Sequence, residues 1–132
     1  MHNLKGEKLD IIKNKKDFIG WLDSQLDVEI PQEIIAFNIN INESPFNIEI
    51  VGSNEFRPDD SDWACNEDWV PHKRNISVSD ELFGVSWEQA LENLTMMSKA
   101  YLSSNSTNTV KLKEAKAFAI GFVDGDLKLL KT

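Results

Sequence analysis

Cysteine and histidine are almost missing from this chain: Cys65 is the sole cysteine, and His2 and His72 are the only histidines among 132 residues. One cysteine cannot close an internal disulfide, so nothing calls for an oxidising compartment. A closed zinc site, with four cysteine or histidine ligands, has too few residues to draw on. Basic side chains are also scarce, with 14 lysines and arginines against 22 aspartates and glutamates, a net charge of −8 and a pI of about 4.7. A nucleic-acid binder presents a basic face, so direct nucleic-acid binding is not expected. No apolar run approaches the ~20 residues that cross a bilayer. The opening stretch MHNLKGEKLDIIKNKK is basic but lacks the apolar stretch of a signal peptide. There is no glycine-rich phosphate loop, no GxSxG, no HExxH and no GxGxxG. The expectation is a soluble cytoplasmic protein that needs no membrane and no cofactor.

What is present is the composition of a globular domain, 41% hydrophobic and 27% charged. One domain is expected over 1–132, with 1–16 as a loosely held segment. Phe18, Trp21, Leu22 and Leu26 form one apolar stripe and predict a helix over about 17–27, capped by Asn14 or Asp17. In AFNININ, Phe37, Ile39 and Ile41 alternate with Asn38, Asn40 and Asn42; in FNIEIV, Phe46, Ile48 and Ile50 alternate with Asn47, Glu49 and Val51. Both runs read as strands with one buried and one wet face, joined as a hairpin through Asn42-Glu43-Ser44-Pro45. Asn75-Ile76-Ser77-Val78 reads as a short strand. Ser86 to Gln89 fits a capping box opening a helix to about Leu102, with Trp87 and Trp21 expected in the core. Near the end, Asp124-Gly125 predicts a type I′ hairpin that sets Phe122 opposite Leu127 and Ile120 opposite Leu129. The fold expected is α+β: a mainly antiparallel sheet of about four to six strands, two principal helices packed on it, in the order α-β-β-(acidic segment)-α-β-β.

The segment between the hairpins carries the functional signal. EFRPDDSDWACNEDW, Glu55 to Trp69, holds six carboxylates, one arginine and two of the four tryptophans. Loops need charge only to stay solvated, whereas indole rings bury large apolar areas when they find a partner. Carboxylates packed around aromatics therefore point to a docking face for something basic. The candidate partner-binding residues are Asp59, Asp60, Asp62, Trp63, Glu67, Asp68 and Trp69. One tryptophan is expected to pin the segment to the domain and the other to anchor the partner.

Catalytic and metal readings of the same segment are weaker. Cys65 and His72 are seven residues apart, but the surrounding negative charge disfavours a reactive thiolate, so no catalytic residue is assigned. Asp59, Asp60 and Asp62 lack the alternation, central glycine and closing glutamate of an EF-hand loop. Asp124-Gly125-Asp126 is explained by its turn. No metal ligand is assigned.

The stretch DDSDWACNEDW, followed by SWEQALENL, YL and FAIGFVDGDL, resembles the immunity proteins of bacterial polymorphic and contact-dependent toxin systems. The resemblance spans the chain from about Glu33 onward. It implies a non-enzymatic inhibitor that neutralises one cognate toxin domain in the cytosol, and a basic toxin, such as a nuclease, would meet an acidic face where a phosphate backbone otherwise lies. The alternatives are a protein-binding or scaffold module with another partner, a small enzyme, and a divalent-cation binder. Oligomeric state is not legible.

Overall fold

The computed structural model describes residues 10–43, 45–84, 86–122 and 125–131. The elements run β1 (Ile11–Ile12), α1 (Lys15–Leu26), β2 (Ala36–Asn42), β3 (Asn47–Ser53), a 3-10 helix (Ser61–Cys65), β4 (Ile76–Val78), α2 (Asp80–Phe83), α3 (Trp87–Leu102), α4 (Thr109–Lys113), β5 (Ala117–Phe122) and β6 (Lys128–Lys131). Within the segment expected to be loose, Ile11 and Ile12 form the edge strand β1, and residues 1–9 lie outside the described residues.

Local chemistry sets the helix ends. The Asn14 side chain accepts the Asp17 N–H at 2.8 Å and opens α1, and Ser86 Oγ accepts the Gln89 N–H at 3.2 Å and opens α3. These bonds satisfy backbone donors that a first helical turn leaves unpaired. Phe18, Trp21, Leu22 and Leu26 from α1 meet Ala90, Leu94, Met97 and Tyr101 from α3 in one buried cluster. Two short helices, α2 and α4, fall where the sequence carried no helical period of useful length.

The sheet is α+β in setting but mixed rather than mainly antiparallel. Its order is β1-β4-β3-β2-β5-β6. β2 pairs with β5 in parallel and β1 with β4 in parallel; the remaining pairings are antiparallel. The β2–β5 pairing follows from α3 and α4 intervening between the hairpins, which lets the chain return to the same end of the sheet, as a crossover does. Phe37, Ile39, Ile41, Ile48, Ile50, Phe118 and Ile120 all face the helices in the main core, as their period of two requires.

Two expectations fail at the rim. Trp87 is 54% exposed rather than buried. It occupies the first position of α3, where its ring meets Phe122 edge-on at 6.4 Å. The closing hairpin also differs in register. Ile120 lies opposite Lys128 and Ala119 opposite Leu129, with an irregularity between Phe118 and Ala119. One slipped residue turns side chains to the other face, so Leu127 joins the face away from the helices while Leu130 packs on the main core. Asp124 lies outside the described residues. The type I′ turn expected at Asp124-Gly125 therefore lies outside the described residues as well. Gly125 donates its N–H to the Phe122 carbonyl at 3.0 Å.

Candidate functional site

The acidic segment leaves β3 at Ser53 and crosses the face of the sheet that the helices do not cover. Three alanines prepare that face: Ala36, Ala117 and Ala119, with Ala36 opposite Ala117 across the β2–β5 pair. Their small side chains leave a shallow bed in which Trp63 lies, 3% exposed, with Ala64 beside it and Phe56 edge-on at 5.3 Å. Six residues after Trp63, the chain re-enters the sheet. Trp69 and Gly52 exchange backbone hydrogen bonds at 2.9 and 3.1 Å, and the Trp69 ring packs edge-on to Phe37 at 5.8 Å. Gly52 is required there, because a Cβ would stand 2.7 Å from Ile34 Cγ2 and 3.2 Å from the Trp69 ring.

Polar side chains lash the middle of the segment down. Asn38 Nδ2 donates to Asn40 Oδ1 at 2.6 Å and reaches the Ala64 carbonyl at 3.5 Å. Asn40 Nδ2 donates to Glu49 at 3.4 Å. Arg74 donates from Nε to Glu49 at 3.0 Å and from its two terminal nitrogens to Glu67 at 3.1 and 2.7 Å. Hydrogen bonding to Glu67, then to Glu49, raises the Arg74 guanidinium further above its ordinary value. Asn66 Nδ2 donates to Ser53 Oγ at 3.0 Å and to Glu55 at 3.1 Å. The alternation of β2 and β3 thus separates the faces correctly but not their solvent exposure: Asn38 and Glu49 are 1% and 8% exposed. Buried polar groups usually find partners; here these are Asn40, Arg74 and, from the segment above, the Ala64 carbonyl, while Asn38 Oδ1 is buried without a partner among the described residues.

The predicted site residues divide accordingly. Trp63 and Trp69 are both buried and grip opposite faces of the sheet, so neither presents an aromatic anchor to solvent; that expectation is corrected. Glu67 is engaged by Arg74, and Asp68 accepts the Asn54 N–H at 2.9 Å. Asp60 caps the 3-10 helix through the Asp62 N–H at 3.0 Å. Asp59 and the Asp62 carboxylate are exposed and engage no partner among the described residues. Beside them an open hollow of about 320 Å³ is lined by Phe56, Arg57, Pro58, Asp59, Asp60, Asp126, Leu127 and Leu129, among others. Arg57 is paired with Glu55 at 3.4 Å. Asp126 and Leu129 belong to this surface because of the hairpin register, which is why sequence patterning missed them.

Cys65 and His72 are both exposed. Among the described residues no three histidine, cysteine, aspartate or glutamate side chains converge as a metal site, and no helix is long and apolar enough to cross a membrane. No protein-family model, curated protein or solved structure matches this chain.

A second polar cluster, invisible in the sequence, is structural. Asp23 on α1 accepts hydrogen bonds from Tyr101 Oη at 2.8 Å, from Ser106 Oγ and from Asn108 Nδ2 at 3.4 Å. Burial alone would raise the Asp23 carboxyl. The bonds from Ser106, Tyr101 and Asn108, with the Lys111 charge, outweigh it and hold Asp23 below the ordinary carboxylate value. Burial, then the bond to Asp23, pushes the Tyr101 hydroxyl well above its usual range. The cluster ties α1 to the end of α3 and to the polar loop 103–108.

Proposed function

We propose that this protein is a cytoplasmic immunity protein, a non-enzymatic inhibitor that binds and neutralises a basic toxin domain. The observation that carries the reading is the state of the acidic segment. The Asp59 and Asp62 carboxylates are exposed and unengaged among the described residues, on a stretch whose backbone is held by two buried tryptophans and a chain of hydrogen bonds. Unpaired carboxylates on a fixed platform keep their full charge for a partner and lose little conformational entropy on binding. Opposite net charge steers encounter, lifting association well above the neutral ~10⁵–10⁶ M⁻¹s⁻¹. A purely solvating loop requires no such fixation.

The test is co-expression. The chain is produced together with the C-terminal domain of whichever large secreted protein proves to be encoded immediately upstream of it in the native host. The expected result is rescue of growth and a stable complex of the two. Continued toxicity, with both proteins folded and no complex, contradicts the proposal.

A further inference from the structure

With Trp63 and Trp69 buried, the acidic face has no aromatic anchor of its own, yet the fold sets one beside it. Of the four tryptophans, Trp21, Trp63 and Trp69 are 6%, 3% and 9% exposed, whereas Trp87 is 54% exposed. Trp87, Leu91, Phe122 and Leu127 line an open groove of about 600 Å³, with Gly125 in its wall and Glu43, Asp126 and Lys128 on its lip. Asp126 and Leu127 also line the acidic hollow that holds Asp59 and Asp60. The two depressions adjoin at these residues and together make a strip, apolar at the Trp87 end and acidic at the other.

We propose that this strip receives a single segment of a basic protein, with a large apolar side chain seated between Trp87 and Leu127 and adjacent lysines or arginines meeting Asp126, Asp59 and Asp60. The proposal rests on the reading of the acidic face as a surface for a basic protein and supplies the anchor that reading lacks. Charge selects the occupant. The lips carry Glu43, Asp59, Asp60 and Asp126 against Lys128 and Arg57, and Arg57 is already paired with Glu55. A second copy of this chain would bring its own net −8 against that rim and be repelled. Exposed aromatics surrounded by a polar rim are where interfaces concentrate their binding energy.

Because Trp87 is the one exposed indole, acrylamide quenching of tryptophan fluorescence reports on the groove. The probe is a synthetic hexapeptide of two leucines flanked on each side by two lysines, compared with one in which serines replace the leucines and one in which glutamates replace the lysines. At millimolar concentration the lysine–leucine peptide is expected to lower the quenching constant roughly twofold, and the other two to leave it unchanged. Backbone amide shifts should appear over residues 125–129 and 57–62. Trp87→Ala, first shown to melt like the parent, is expected to weaken the lysine–leucine peptide roughly tenfold, to the level of the serine peptide, a factor in keeping with loss of an aromatic hot spot. If the two lysine peptides bind equally, with shifts confined to 57–62, the groove is overturned and the acidic face stands. If the glutamate peptide protects Trp87 as well as the lysine peptide, the charge argument is overturned. If neither lysine peptide binds, the groove and the acidic face both fall.

Discussion

Trp63→Ala is the most informative single change, because the account makes this ring a structural pin. Trp63 is 3% exposed, lies on Ala36, Ala117 and Ala119, and stands edge-on to Phe56 at 5.3 Å. A buried tryptophan removes ~150–250 Å² from water, which at ~25 cal/mol/Å² is about 4–6 kcal/mol as an upper bound. Measured truncations of buried aromatics cluster at about 3–5 kcal/mol once partial collapse of the cavity is included. The bed beneath Trp63 is alanine and cannot close over the gap, so the expected loss is about 4–5 kcal/mol, in the upper half of that range. The assay is urea denaturation followed by far-ultraviolet circular dichroism, with the slope held in common, since a stability change moves the midpoint at constant slope. Trp63→Phe keeps most of the packing and should lose about half as much. A loss below ~1 kcal/mol for Trp63→Ala, the level of an exposed substitution, would show that the ring does not hold the segment down and would return it to the list of partner anchors.

The remaining predictions concern the clamps. Asp23→Ala removes the acceptor shared by Tyr101, Ser106 and Asn108, and leaving the buried tyrosine hydroxyl without its partner should cost about 1–3 kcal/mol by thermal or urea melting. Because the folded Asp23 carboxyl sits below its unfolded value of 3.8, its contribution is complete above that value and is lost as pH falls through the lower folded value. The parent should therefore lose stability faster than Asp23→Ala below about pH 4. Equal slopes for the two proteins would refute the assignment. Gly52→Ala forces Ile34 or Trp69 aside and is expected to cost about 1–3 kcal/mol, as overpacking does. An unchanged midpoint would mean that the Trp69 bridge yields freely.

Much of the architecture could be read from residue patterns, and the failures have identifiable causes. The β2 and β3 alternation, Ile76–Val78 and the caps at Asn14 and Ser86 are local signals, and local signals were enough for them. The parallel β2–β5 pairing joins strands separated by the whole of α3, and no neighbouring residues encode it. β1 is two residues long and has no period to detect. The wet face assigned to Asn38, Asn40 and Glu49 is roofed by the acidic segment, and polar residues under a polar roof look like polar residues in water. Trp63 and Trp69 sit in a stretch without period, so no pattern could say that one grips the alanine bed and the other the helix-side core. Trp87 obeys the helical stripe but stands at its very end, in the first turn of α3, and its ring stays half exposed. At the candidate site the carboxylates were legible by type and density. Which of them remain unengaged was not, because Arg74 and Asn54 reach Glu67 and Asp68 from outside the dense stretch.

The central claim, that the pinned acidic segment meets a basic protein, is tested most directly by association kinetics with the cognate basic domain across a salt series. Asp59→Asn combined with Asp62→Asn removes two carboxylates that are unengaged among the described residues, without touching the Glu67, Asp68 or Asp60 contacts. The account predicts association slowed by about threefold to tenfold at low salt, a flatter dependence on ionic strength, and dissociation nearly unchanged. Association indistinguishable from the parent at every salt concentration would contradict it.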